Sequence, residues 1–188
     1  TKKVDEYKKD YENMKELVNK YAWDGEWYVR YFEPEGVPIG SKINEQGKIF
    51  ANAQSWTVMS GFAPIDRASK SLESLHKYLN TDNGIKLSYP GYNKFDPDKG
   101  GVTTYPPGAK ENGGIFLHSN PWVMIAETKV GNGNRAFKYY NQINPATKNG
   151  LMEEFECEPY VYPQNILGDE HPQFGLGRNS WLSGTASW

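Results

Sequence analysis

Apolar side chains at Val4, Tyr7, Tyr11, Met14, Val18 and Tyr21 recur at three- and four-residue spacing among charged neighbours. That spacing predicts an amphipathic helix over residues 1–22 with one buried face. Residues 47–62 (GKIFANAQSWTVMSGF) are apolar around most of a helical circumference, which predicts a helix packed on two sides or lining the inside of a barrel. A third helix, 66–80, begins at the N-cap candidate Asp66 and sets Ala68, Leu72, Leu75 and Leu79 on one face. It stops before TDNG, where Gly84 can take a left-handed conformation. Further helices are predicted over 114–129 and 134–144, the second capped by Asn134 and ended by Asn144 and Pro145. Strand signals are weak. Residues 27–32 (WYVRYF) and 159–163 (PYVYP) read as short extended pieces, and no regular alternation supports a β-sandwich.

Between these helices run long segments rich in Gly, Pro, Asn and aromatics, at 33–46, 85–112 and 145–175. Loops of that length are uncommon in a compact domain unless they are functional or disordered, and these are too aromatic for disorder. They are expected to build a site. No repeat at solenoid period is visible, although alternating helices and site-building loops suit a toroid of helix pairs. The chain closes on SWLSGTASW, a motif-like run rather than a polar tail, so both ends are expected to be cuts within a longer polypeptide.

Composition narrows the function. The net charge of −2 is spread without a basic stripe, which removes the electrostatic footprint of a nucleic-acid binder. The single cysteine, Cys157, cannot form an internal disulfide, and no apolar run approaches the roughly 18 residues of a membrane span. No signal-peptide core follows the first residues, and a cytoplasmic location is the default expectation. Aromatics make up 14% of the chain, with six Trp and thirteen Tyr, at a mean hydropathy of −0.77. Flat rings in a polar surface suit pyranose stacking, although aromatics serve more often as core and loop anchors.

The densest chemistry lies in residues 103–122, TTYPPGAKENGGIFLHSNPW. Tyr105 and the rigid Pro106, Pro107, Gly108 turn fix a loop, Lys110 and Glu111 offer a charge pair, and Gly113 and Gly114 let backbone approach a ligand. His118 is expected one turn into the following helix. Such a helix start can receive an oxyanion or phosphate, since free N–H groups and the helix dipole favour negative charge. A loop-to-helix cap with a satisfied histidine fits the same residues. Ser183, Gly184 and Thr185 form a second small-residue turn that could hold an oxyanion or simply cap a helix. Asp24 and Glu26 stand between tryptophans, but residues two apart do not face each other on a helix, and a structural role is the plainer reading. His76 is expected on a charged helix face and His171 in a loop, and no metal-ligand spacing occurs.

Six segments in order resemble glycoside hydrolase family 94, the cellobiose and chitobiose phosphorylases: WDGEWYVRYF, GSKINEQGKIFANAQSW, TTYPPGAKENGGIFLHSNPW, RAFKYYNQINPA, CEPYVYPQNI and RNSWLSGTASW. The resemblance implies an all-α fold, part of an (α/α)6 barrel, with residues 1–188 a fragment of one catalytic domain. It implies cleavage of a β-linked disaccharide by inorganic phosphate, with inversion, to an α-sugar 1-phosphate and a free sugar. By motif, His118, Ser183 and Gly184 would contact phosphate, where the family often has Thr-Gly. Lys110 and Glu111 would bind the donor sugar, and Tyr105 would lie beside the acceptor. Neither a metal nor an organic cofactor is expected, phosphate being a substrate, and the family leaves room for a homodimer. Phosphate attacks the anomeric carbon directly, so only one acid is needed, to protonate the leaving oxygen.

Two departures from the family pattern bear on function. The general acid of the family is the aspartate of a DWND-type motif upstream of WDGEW, which this sequence lacks, and Asp24 is not its equivalent. Cellobiose phosphorylases tend to carry a glutamate four residues before the YPPG tyrosine, where this chain has Gly101. An acceptor other than plain glucose, such as N-acetylglucosamine or a sugar acid, is thereby favoured, with Lys94 and Lys99 near enough in sequence to serve the latter. A hydrolytic glycosidase on the same toroid and a non-catalytic carbohydrate-binding module are the alternatives.

Overall fold

A computed structural model describes residues 1–181. The helix α3 (Ile65–Leu79) realises its predicted face: Leu72, Leu75 and Leu79 are fully buried and Ala68 nearly so. Pro64, not Asp66, stands at its N-cap position, and no side chain caps the helix. Each buried leucine removes enough apolar surface to be worth about 1.5–3 kcal/mol. Around this face gather α2 (Ala51–Met59), α4 (Ser119–Lys129) and α5 (Gly133–Ile143). The helix α2 packs on both α3 and α4, which accounts for its even distribution of apolar residues, and α4 packs on α5. Trp27, Ile49, Val58, Ile85, Val123 and Tyr139 complete the main core.

Several polar groups inside this core are matched. Tyr139 is fully buried, and its hydroxyl lies 2.8 Å from Nδ1 of His76, which ties α5 to α3. His76 is thus half-buried and hydrogen-bonded, with the charges of Arg135, Lys138 and Glu73 around it. Glu127, also fully buried, accepts from Asn132 at 2.8 Å and pairs with Arg135, which reaches Glu73 at 2.7 Å. Asn132, not Asn134, occupies the N-cap position of α5, without a side-chain cap.

The first helix departs from expectation. α1 (Lys2–Leu17) runs into a π-helical turn, Val18–Ala22, and neither has a buried residue. Its stripe is present but uncovered, with Tyr7 at 69% and Met14 at 55% exposure. α1 touches the body through Tyr11, which donates to the Ser60 carbonyl at 2.8 Å, and the π-helical turn through Asn19, which donates to the Phe62 carbonyl at 2.8 Å.

The all-α expectation also needs correction. Among the described residues six α-helices, the last being α6 (Met152–Phe155), are accompanied by short strands. Two of these occupy the expected starts of helices: β3 (Ile49–Phe50) pairs with β6 (Ser88–Tyr89), and β7 (Ile115–Phe116) pairs with β8 (Pro163–Ile166). β9 (Gly177–Ser180) extends the latter sheet, while β1 (Tyr31–Phe32) pairs with β2 (Pro38–Ile39). β4 (Asn80–Thr81) and β5 (Gly84–Ile85) form the TDNG hairpin, with Gly84 at φ +119°.

Three buried amides act as substitute strand residues. Gln54 both accepts from the Tyr28 N–H and donates to its carbonyl, and Asn120 does the same with Ile85. Asn112 does so with Tyr92. A side-chain amide supplies one acceptor and two donors, so each can close a backbone position that no neighbouring strand reaches. WDGEW is likewise structural: Trp27 is 1% exposed and donates Nε1–H to the Gly40 carbonyl at 2.8 Å. Asp24 accepts from Ser41 Oγ at 2.9 Å and from the Lys42 N–H at 2.7 Å.

Candidate functional site

The loop of residues 105–114 is folded on itself. The Gly108 N–H donates to the Asn112 carbonyl at 2.8 Å and Gly114 N–H to the Lys110 carbonyl at 2.9 Å. A Cβ on Gly114 would stand 2.5 Å from the Lys110 carbonyl oxygen, so only glycine fits. The close approach that Gly113 and Gly114 permit is therefore to the chain itself. Asn112, fully buried, donates to the Tyr105 carbonyl at 2.7 Å while it pairs with Tyr92, and this ties the loop's two ends together.

Outside this loop lies a groove in two joined parts. The first, about 440 Å³, is lined by Arg30, Tyr31, Phe50, Tyr92, Lys99, Gly101, Val102, Thr104, Tyr105 and Glu111. The second, about 230 Å³, shares Arg30, Phe50 and Glu111 and adds Asn52, Ala53, Leu87, Phe116 and His118. The fold thus brings Tyr105, Glu111 and His118 along one groove, with Glu111 where the two parts meet. A larger, open hollow of about 920 Å³ lies between α1 and α3, away from this segment and without an aromatic wall. The smaller groove, with rings on its walls and charged groups converging, has the makings of a ligand site.

His118 does not lie one turn into a helix. It stands at the N-cap position of α4, separated from the glycines by β7. Its ring is held between Phe116 and Trp122, at centroid separations of 5.2 and 5.4 Å, both edge-to-face. Trp122 meets Trp56 of α2 at 5.3 Å. Burial pushes the His118 pKa below its ordinary value, opposed in part by the Glu111 carboxylate. The ring is therefore neutral at pH 7 and offers one N–H donor and one acceptor.

Lys110 takes a different direction from Glu111. Its backbone is left-handed, with φ +49°, and its ammonium donates to Gln164 Oε1 at 2.6 Å and to Asn179 Oδ1. No ion pair joins Lys110 to Glu111 among the described residues. An ammonium has three donors, and these two bonds use two of them, while Lys110 lines neither part of the groove. Ser183 and Gly184 lie outside the described residues. Lys99 lines the first part of the groove but is paired with Asp96 at 2.7 Å and Glu33 at 3.9 Å, whereas Lys94 lines another hollow.

Arg30 and Phe50 are among the groove residues that sequence reasoning missed. The Arg30 guanidinium lies 4.6 Å from the Phe50 ring centroid, and both reach the groove from segments far from residues 103–122. Nothing local marks them; only the pairing of β3 with β6 carries Phe50 there. His171 sits in a loop as expected, with Nδ1 accepting from the Gln173 N–H at 3.1 Å. Among the described residues no group of three or more His, Cys, Asp or Glu side chains could hold a metal ion, and no helix is long and apolar enough to cross a membrane.

The whole chain, residues 1–188, matches the family described as "Glycosyl hydrolase 94 superfamily, catalytic domain". It is 36% identical over 178 residues to N,N'-diacetylchitobiose phosphorylase of Vibrio proteolyticus, covering 94% of this chain and 22% of that protein. It is 33% identical over 175 residues to solabiose phosphorylase of Paenibacillus borealis, covering 93% of this chain and 23% of that protein. To cellobionic acid phosphorylase of Neurospora crassa it is 32% identical over 177 residues, covering 91% and 22%. The chain therefore spans between a fifth and a quarter of the length of these relatives. With the family matched from first residue to last, the chain belongs to the glycosyl hydrolase 94 superfamily and is catalytic-domain sequence of it.

Proposed function

We propose that this chain forms the sugar- and phosphate-facing wall of a phosphorylase that cleaves a β-linked disaccharide with inorganic phosphate. The products are an α-sugar 1-phosphate and a free sugar, with inversion, and α2 to α5 belong to an (α/α)6 toroid. The observation that carries the reading is the groove along which Tyr105, Glu111 and His118 are arrayed, in a chain whose relatives include an N,N'-diacetylchitobiose phosphorylase and a solabiose phosphorylase.

In this reading Tyr105 flanks the acceptor sugar, Glu111 accepts from donor-sugar hydroxyls at the junction, and His118 donates a neutral N–H to phosphate together with Ser183 and Gly184. Lys110 turns its remaining donor to the donor sugar while Gln164 and Asn179 hold it. Phosphate is already anionic at neutral pH, so the groups around it need only bind and orient it, and no protein base is required. No residue of this chain is given the role of general acid. The reaction as drawn uses no metal or organic cofactor. Gly101 leaves the acceptor end without a side chain where cellobiose phosphorylases tend to carry glutamate, which favours N-acetylglucosamine or a sugar acid over glucose.

The test is to assay the full-length protein with glucose 1-phosphate and N-acetylglucosamine 1-phosphate against a panel of acceptors, and to run cleavage with and without phosphate. Phosphate-dependent sugar 1-phosphate supports the reading. Free sugar at a rate indifferent to phosphate identifies a hydrolase, and neither product identifies a binding module.

A further inference from the structure

Residues 168–171, GDEH, have no role in the reading above, yet they are bound to its framework at four points. The Gly168 N–H donates to the Gly108 carbonyl at 2.7 Å. A Cβ on Gly168 would stand 2.4 Å from the Gly113 carbonyl oxygen, and one on Gly108 2.7 Å from the His171 nitrogen. Asp169 pairs at 2.7 Å with Lys86, which is 2% exposed and lies 4.1 Å from the Tyr89 ring centroid. Glu170 receives the Gly91 N–H on both carboxylate oxygens, at 3.0 and 3.1 Å.

The Glu170 contact leads directly to the groove. Gly91 is followed by Tyr92, a groove residue whose N–H and carbonyl both pair with Asn112, and Asn112 also holds the carbonyl of Tyr105. Gly91 also lies against Pro107, so the backbone at 91 is clamped between the GDEH segment and the YPPG turn. A hydrogen bond to a charged acceptor is stronger than one between neutral groups, so the carboxylate fixes a backbone that would otherwise shift with its glycine.

We propose that residues 168–171 are a latch that fixes the acceptor wall of the groove, with Glu170 as the positioning residue acting through Gly91, Tyr92 and Asn112 on Tyr105. The proposal rests on the phosphorylase reading for its kinetic consequence but not for its structural one. The tests use the full-length protein. In Glu170→Ala, amide exchange in peptides covering 89–93 and 103–114 speeds up about tenfold, while α3 and α5 peptides stay at the wild-type rate. In synthesis the KM for acceptor rises about tenfold, and the KM for phosphate in cleavage stays within about twofold. Glu170→Gln keeps a carbonyl acceptor for Gly91 and restores most of both. Lys86→Met, which frees Asp169, accelerates exchange at 103–114 without uncoupling α3 from α5. Unchanged loop exchange in Glu170→Ala overturns the latch, as does an equal rise in both KM values or a failure of Glu170→Gln to recover. Should Glu170→Ala not fold, the exchange rates of Glu170→Gln and Lys86→Met decide by the same criterion. Should the wild type make no sugar 1-phosphate, the phosphorylase reading falls, and the exchange measurements still decide the latch.

Discussion

His118 sets one half-buried ring in the groove, and two consequences follow from its surroundings. Phe116 and Trp122 fix the ring by edge contacts rather than hydrogen bonds, so its N–H is preoriented for a ligand. In the full-length protein His118→Ala should raise the KM for phosphate by about ten- to a hundredfold, the worth of one lost bond to a charged group. The KM for disaccharide should change by less than about threefold; equal losses would remove His118 from the phosphate site. The second consequence is a pH effect. Burial holds the folded pKa below the ordinary 6.5, so between the two values the unfolded chain binds a proton that the folded chain does not. Stability should therefore fall as the pH is lowered through 6.5 towards the folded value, and His118→Gln should flatten that fall in urea titrations at several pH values. His76 is depressed in the same direction by its own burial, so His76→Gln serves as the parallel control and should remove a separate share of the slope.

Among the elements, identical periodicities carry different weight. The three-and-four spacing of α3 and of α1 is equally clear, yet Leu75 is fully buried and Met14 is 55% exposed. In urea unfolding of the 188-residue chain, Leu75→Ala should cost about 2–5 kcal/mol and Met14→Ala less than about 0.5 kcal/mol. Periodicity identifies a face; it does not supply the partner that covers it. The misplaced starts of α2 and α4 have a related cause. Ile49–Phe50 and Ile115–Phe116 are short apolar runs that suit a helix or a strand, and the strands that claim them, at 88–89 and 163–166, are distant in sequence. Tyr105, Glu111 and His118 were legible as a set because one segment carries them all, whereas Arg30 and Phe50 arrive by tertiary pairing and leave no local trace. Gly113 and Gly114 were legible as points of close approach, but what they approach was not. Gly168→Ala tests that assignment: the nearest atom is a backbone carbonyl that cannot swing aside, so the loop must shift, at an expected cost above about 2 kcal/mol. A Gly168→Ala protein as stable as wild type would show the segment yields more easily than its contacts imply.

At the scale of the whole molecule the proposed function makes the groove one wall of a site, and the proposed reaction needs what faces it. Cleavage of a glycosidic bond by phosphate requires a carboxylic acid over the leaving oxygen, worth on the order of a hundred- to ten-thousandfold in rate. Among the carboxylates that the family motifs carry, Asp24 is occupied by Ser41 and the Lys42 N–H, and Glu111 stands at the junction of the groove, where the proposed role is to bind sugar hydroxyls. On the proposed function the binding wall and the acid are separable parts. The 188-residue chain, expressed alone, should yield no sugar 1-phosphate from any disaccharide that the full-length protein cleaves. It should still bind phosphate and sugar weakly if the groove keeps its shape, which titration with each compound followed by tryptophan fluorescence can detect, since Trp122 lies against His118. Sustained phosphorolysis by the isolated chain would mean that it carries its own proton donor, and Glu111 would then be the first residue to reassign.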